Sequence, residues 1–535
     1  MKVKVSGFPI EPFGNDELRA YQNSFYFETI TMSLQRQFFG KTGSEMSMKK
    51  FFFVYVLIIT CLMPLVFFAG CKKEQVKTRA MPAAPARHEV AAKTTLLATI
   101  SELDKPVPSQ GLPPRHASIP SGPGGPPPGH TSLPAGQGPE LLVYFSKLGG
   151  GAAYISERAG KAQVVHNGNP GKPYDEIDTL TVLLSEDGQR IAYGARAGAQ
   201  WMMVNDGKEE EPYDQIGSAV FSPDNRHLAY QVRKGGKWHV VSGNKMNAGC
   251  DKYYDKPIFS NDSTRICTIE NTDVEGKKRL IVSDLAFKNQ HVKVIRGKYF
   301  FTNENKTRIG AIEEVDGRER VIELDFNTLG VVRQGELYDS VRFPTFGPDG
   351  VTVAYAAAER QRRGVVFRYL IVGDRRERLP DDAPMAFPVV RPDGKSAGMI
   401  MSTKTSYYLH QAFYNAGTKK HYYDEAGDLA YNKDGSLYAF VARKGNKIFI
   451  AMNEKAGPTF DHVTMPVFSP DGRKVVYRAR QNGKRFIVVA DAKGRILRKH
   501  PAYERIFDPV FTPDGKSVAY GVKDGDKLVW KVEKL

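Results

Sequence analysis

Through most of the chain, apolar and polar residues alternate in short runs, and Gly, Asn, Asp or Pro stand between the runs. "RKVVYRA" at 473–479 and "RFIVVAD" at 485–491 are two such runs, joined by "QNGK". Short β-branched and aromatic runs bounded by turn residues predict strands. Just upstream, "FSPDG" at 468–472 has the chemistry of a tight turn. Pro470 presets φ, Asp471 can accept backbone N–H groups, and Gly472 tolerates positive φ. The local pattern predicts strand, tight turn, strand, turn, strand.

The same phrase recurs along the chain. Its Asp falls at Asp187, Asp224, Asp262, Asp349, Asp393, Asp434, Asp471 and Asp514, with Glu304 in that place once. A worn first copy, "YFSKLGGGAAY", puts Leu148 at the Asp position. Successive copies are 37–45 residues apart, about 41 on average. A second phrase runs in step with the first. Tyr213-Asp214, Tyr338-Asp339, Tyr423-Asp424, Phe460-Asp461 and Tyr503-Glu504 each begin eight residues before the aromatic that opens the turn phrase. Tyr174-Asp175 and Tyr254-Asp255 are looser copies.

A period of roughly 40–45 residues with about four short strands predicts a propeller blade. One such sheet cannot bury both faces, so the core must be the sum of the contacts between neighbouring blades. The expected fold is all-β, a β-propeller of about ten four-stranded repeats over 139–535. One large ring and two smaller rings are both open, and the lack of an internal linker favours one ring. The last copy, ending "DKLVWKVEKL", is one strand short. The β-prone "TTLLATISEL" at 94–103 is a candidate for the missing outer strand, because an unpaired edge invites aggregation. "FSPDG" before a β run at this period resembles the WD40-like (PD40) repeats of the TolB-type β-propeller family; similar repeats form the propeller of prolyl oligopeptidases. The resemblance implies the fold and says little of function, because the shared phrase is a turn. Unlike TolB, this chain has no obvious α/β domain ahead of the repeats.

Ahead of the repeats, "MSMKKFFFVYVLIITCLMPLVFFAGC" at 46–71 has a positive start, a long apolar run and small residues before Cys71. Phe68-Ala69-Gly70-Cys71 resembles a bacterial lipobox, which implies a signal peptide over 46–70 and a lipid on Cys71. An uncleaved transmembrane anchor is the alternative, and either places the globular part outside the cytoplasm. Lys72, where the resemblance would put Asp for inner-membrane retention, favours the outer membrane facing the periplasm. Residues 1–45 resemble no targeting segment and read as an upstream extension before a start at Met46 or Met48. Residues 71–138, rich in Pro and Gly towards their end, read as a tether.

The formal net charge is +17. Most Lys and Arg fall in turns and strand ends, as in "ERQRRG" and "GDRRER", so solvated loops are the first reading. A basic face on an anionic envelope surface is the sharper one, and export makes a nucleic-acid partner unexpected. Cys250 and Cys267 lie at different phases of adjacent repeats; a disulfide is possible and not implied. Gly394-Lys395-Ser396-Ala397-Gly398 fits G-x-S-x-G but coincides with the turn phrase, so Ser396 is expected at a strand start and not on a nucleophile elbow. No catalytic set, metal-ligand spacing or cofactor motif emerges, and the recurring Asp residues read as satisfying turn backbone. The expected function is a lipid-anchored scaffold binding an envelope protein or glycan. The alternative is a propeller enzyme, a lyase or hydrolase on polysaccharide or peptide, with its site at the central channel.

Overall fold

A computed structural model describes residues 93–102, 104–106, 141–380, 385–412, 421–512 and 514–535. Its regular elements are strands, apart from one 3-10 turn at Arg362–Gly364. Among the described residues the strands form nine hydrogen-bonded sheets, one of them seven-stranded. That sheet is two blades sharing a strand. His291–Thr302 pairs with Lys277–Asp284 through residues 291–296 and with Arg308–Val315 through 297–302. There are therefore ten blades. They span 143–170, 176–213, 215–246, 258–296, 297–334, 340–378, 388–412, 425–460, 462–499 and 505–534, and are numbered 1 to 10 in that order. Successive strands within a blade pair antiparallel, so each blade is a meander. The first strands converge: Glu176–Leu184 lies against Gln215–Phe221, and Ser340–Phe346 against Pro388–Val390. They form the inner edge.

Side-chain alternation supplies the packing. In blade 9, Val475, Tyr477 and Ala479 face blade 8, where they meet Ala439 and Ile450. Val476, Ile487 and Val489 face the other way, onto Ile506, Val518 and Tyr520 of blade 10. Each blade is thus apolar on both faces, and each large buried side chain contributes roughly 1.5–3 kcal/mol. Such clusters join blades 1 and 2, 2 and 3, and so on through 9 and 10. A last pair of clusters joins blade 10 to blade 1. In two rings, blade 1 would instead pack on the final blade of its own half. The packing is that of a single ring of ten.

The N-terminal stretch closes the ring. Lys93–Thr99 pairs antiparallel with Lys527–Lys534 and supplies the outer strand of blade 10. The chain then crosses to blade 1. Ile100 N–H donates to the Asp526 carbonyl at 2.6 Å, and Lys105 bridges to Glu157. Asp104 is buried there, and its carboxylate accepts Tyr154 Oη at 2.8 Å, Arg158 Nε at 2.8 Å and Ser101 N–H at 3.0 Å. Residues 93–106 therefore belong to the propeller and not to the tether read over 71–138, because the edge of 527–534 needs a partner. The closing strand ends at Thr99, short of the 94–103 run, since Asp104 must turn towards blade 1. The same seam explains the worn first copy. A Cβ on Gly149, at φ +83°, would sit 1.9 Å from the Trp530 indole. The upstream extension, signal segment, Cys71 and most of the tether lie outside the described residues.

Candidate binding surface

The recurring turn Asp is consumed locally. Asp187, Asp224, Asp262, Asp349, Asp393, Asp434, Asp471 and Asp514 each accept the backbone N–H two residues on, at 2.8–3.1 Å. In five turns a Ser or Thr two residues earlier donates its hydroxyl to the same carboxylate: Ser185, Ser222, Ser260, Ser469 and Thr512. These bonds, led by that from Ser469, hold the Asp471 carboxyl below its usual value. Glu304 does not take this role; in that turn Asn303 stands where Ser469 stands in blade 9, accepting the N–H groups of Thr307 and Arg308, four and five residues on, at 2.9 and 3.1 Å. Asp262→Ala takes away the acceptor of one backbone and two hydroxyl donors in a surface turn. It is expected to cost about 1 kcal/mol in urea unfolding and to leave ligand binding unchanged.

The Tyr-Asp phrase is also structural. Its Asp caps the second hairpin of the following blade: Asp175 accepts from Gly198 N–H at 2.6 Å, Asp214 from Gly235 at 3.2 Å, Asp424 from Gly445 at 2.6 Å and Asp461 from Asn482 at 2.7 Å. Its aromatic ring fills the seam between blades. Tyr174 meets Tyr193 edge-on at 6.3 Å, Tyr213 meets Tyr230 at 6.5 Å, and Tyr338 meets Tyr355 at 6.4 Å. Ahead of blade 4 the buried ring is Tyr253, one residue before the Tyr254-Asp255 pair. A ligand-binding ring of Tyr and carboxylates is therefore not what the phrase builds.

What the sequence reading missed is the inner edge. Most first strands slip register before the turn phrase: between Ile216 and Ala219, Lys298 and Phe301, Arg342 and Thr345, and Gly427 and Ala430. In blades 9 and 10 the strand breaks in two at the same place, 462–463 with 467–468 and 505–506 with 510–511. The bulge aims one residue inwards, three before the turn aromatic. At that register stand Leu142, Ser218, Lys256, Phe343, Phe387, Asp428, Met465 and Asp508, with Tyr299 at the bulge of blade 5. Leu142, Phe387 and Met465 are 44, 49 and 54% exposed, and Leu180 in the longer bulge of blade 2 is 66% exposed. The Phe343 and Phe387 rings stack with centroids 4.0 Å apart. A signal was present: Pro344 and Pro388 sit inside these strands, and Pro257, Pro466 and Pro509 just before the segment that meets the turn, where Pro marks a bulge or an end. Around the inner edge, apolar residues thus stand on blades 6, 7, 9, 1 and 2, interrupted by Asp428 and Asp508 on blades 8 and 10, with Lys256 on blade 4.

Other candidates stay within the fold. Ser396 is buried at a strand start, its Oγ 3.4 Å from Asp393. Cys250 and Cys267 are free thiols, each pushed up to about 12 by burial, so neither is a thiolate nucleophile. Among the described residues no group of His, Cys, Asp and Glu has a metal-binding arrangement, and no helix is long and apolar enough to cross a membrane.

No protein-family model and no curated protein matches the sequence. Among solved structures, the chain is similar to a eukaryotic initiation factor, at 12% identity over 72% of this chain and 96% of that one, TM-score 0.39. It is similar to TolB from Acinetobacter baumannii, at 15% identity over 54% of this chain and 80% of that one, TM-score 0.25. It is also similar to the β-propeller domain of the Trilobed protease from Pyrococcus furiosus, at 12% identity over 53% and 97%, TM-score 0.29. At identities and TM-scores this low, the propeller stands on the chain's own ten seams and its clasp.

Proposed function

We propose that this chain is a lipid-anchored extracytoplasmic propeller that acts as a binding scaffold for a protein or glycan of the bacterial envelope. One observation carries the binding reading: the inner edge exposes Phe387, Met465, Leu180 and Leu142, while the recurring Tyr and Asp groups are occupied within the fold. Solvent-exposed apolar side chains gathered on a rigid frame are characteristic of binding surfaces. Ten apolar seams supply that frame. Support for the anchor is the lipobox-like Phe68-Ala69-Gly70-Cys71, and Lys72 favours the outer membrane.

The test is site-specific photocrosslinking of the full chain in a bacterial host. Probes at Phe387 and Met465 are expected to give a discrete adduct that a probe at Val331, on an outer strand, does not. Equal or absent adducts at all three positions would reject the inner edge as the binding surface. Fatty-acid labelling in the same cells, lost in Cys71→Ser, checks the anchor.

A further inference from the structure

The strand position just after the Tyr-Asp phrase starts a row that crosses each blade at one height. In blade 2 the row pairs Glu176 with Arg196, whose Nη2 lies 2.8 Å from the carboxylate. Blade 8 repeats this with Glu425 and Arg443 at 2.6 Å. Blade 9 keeps the Arg, as Arg480, but sets His462 opposite it. The next residue across is Arg485. Directly paired residues share a face, and Arg478, two before Arg480, lies on it too. That face looks towards blade 10, because Val476, Ile487 and Val489 on it pack against Ile506 and Val518. Blade 10 in turn begins its own row with Arg505, opposite Lys523.

Of Arg478, Arg480, Arg485 and Lys523, only Arg478 and Lys523 meet a carboxylate among the described residues. Arg478 Nη1 donates to the Ile506 carbonyl at 2.6 Å, and its Nη2 lies 3.4 Å from Asp508, which is 83% exposed. Arg485 Nη1 donates to the Glu504 carbonyl at 2.7 Å, while the Glu504 carboxylate serves Lys523 at 2.6 Å. Among the described residues no carboxylate pairs with Arg480 or Arg485. Burial, and then the charges of Arg480, Arg478 and Arg485, hold the His462 pKa below its usual value. Burial, with Arg485 and Arg505 nearby, also lowers that of Arg478 despite Asp508. Half-buried like charges repel, and guanidinium forks match tetrahedral oxyanions.

We propose that the seam between blades 9 and 10, on the face bearing the Tyr-Asp loops, binds a phosphate-class oxyanion, with Arg480 and Arg485 as its main contacts and His462 beside them. The site as proposed does not rest on a partner at the inner edge. Its charge also gives part of the basic composition a specific place.

Calorimetric titration of the full chain with inorganic pyrophosphate tests it. One equivalent is expected to bind, and roughly tenfold or more weaker in Arg480→Ala. His462→Glu recreates the Glu–Arg row of blades 2 and 8, so it is expected to unfold at or above the wild-type midpoint while losing pyrophosphate binding. Sedimentation with phosphatidylcholine vesicles, with and without phosphatidic acid, distinguishes the source. A phosphatidic-acid gain lost in His462→Glu assigns a lipid headgroup; no gain alongside pyrophosphate binding assigns a soluble phosphate. Pyrophosphate binding that is absent, or equal in wild type and His462→Glu, overturns the proposal.

Discussion

Deleting residues 93–106 is expected to open the ring, with a loss of about 3–5 kcal/mol in urea unfolding and concentration-dependent association. Two effects add. The strand 93–99 leaves the edge of Lys527–Lys534 unpaired, and a bare edge is a template for pairing with another chain. The turn 100–105 withdraws a buried carboxylate from Tyr154 and Arg158, and breaking a buried pair costs on that order. Asp104→Ala alone keeps the strand, and Arg158 regains water because it is 39% exposed; about 2 kcal/mol is expected. Its pH dependence separates it from a packing defect. Burial would raise the Asp104 pKa, but the bonds from Arg158, Tyr154 and Ser101 outweigh it and hold the pKa below its ordinary value. A depressed carboxylate stabilises the fold fully above its unfolded pKa of about 3.9, and this is lost as pH falls through the lower folded value. The gap between wild type and Asp104→Ala should therefore be constant near neutrality and close only below about pH 4. Fluorescence of Trp530, which sits in the closing seam, reports the opening directly. An unchanged midpoint after deletion would mean that blade 10 closes without its outer strand.

Tyr338→Ala is expected to cost about 3–5 kcal/mol, whereas Asp339→Ala should cost about 1 kcal/mol. Tyr338 is 2% exposed and packs among Ile312 and Val321 of blade 5 and Tyr355 and Tyr369 of blade 6. Removing its ring leaves a cavity between two rigid sheets that cannot collapse, because each is held by a seam on its other face. Asp339 accepts from the Arg360 N–H and lies 4.0 Å from Arg318 Nε, both at the surface. If the phrase were a ligand ring, the order would reverse in a binding assay, with Asp339→Ala losing ligand and Tyr338→Ala sparing stability. Urea unfolding of the two variants settles which description holds.

The turns were legible because they are local: each turn Asp bonds a backbone N–H two residues away. The closing strand was legible because the last repeat is one strand short and "TTLLATISEL" is β-prone, although its pairing with 527–534 is not local. The Glu304 mismatch shows where such reading stops, since that turn is held by Asn303 in the place of the opening Ser, and the repeating phrase alone does not show the shift. The inner edge was harder. Leu142, Phe387 and Met465 look like core residues, and only their place at the start or break of a first strand leaves them exposed. Arg480 is harder still, for its sequence context matches that of Arg443, and the difference is the residue across the strand pair.

By itself the sequence determined the module: a period near 41 residues, apolar alternation on both faces of each sheet, and turns specified by their own Pro, Asp and Gly. Those follow from neighbours in the chain. The tertiary structure alone decided that ten modules form one ring, because the choice lies in whether blade 10 or some earlier blade buries the free face of blade 1. It also decided which residues face inwards and where like charges meet, since strand register and seams between blades join residues far apart in sequence.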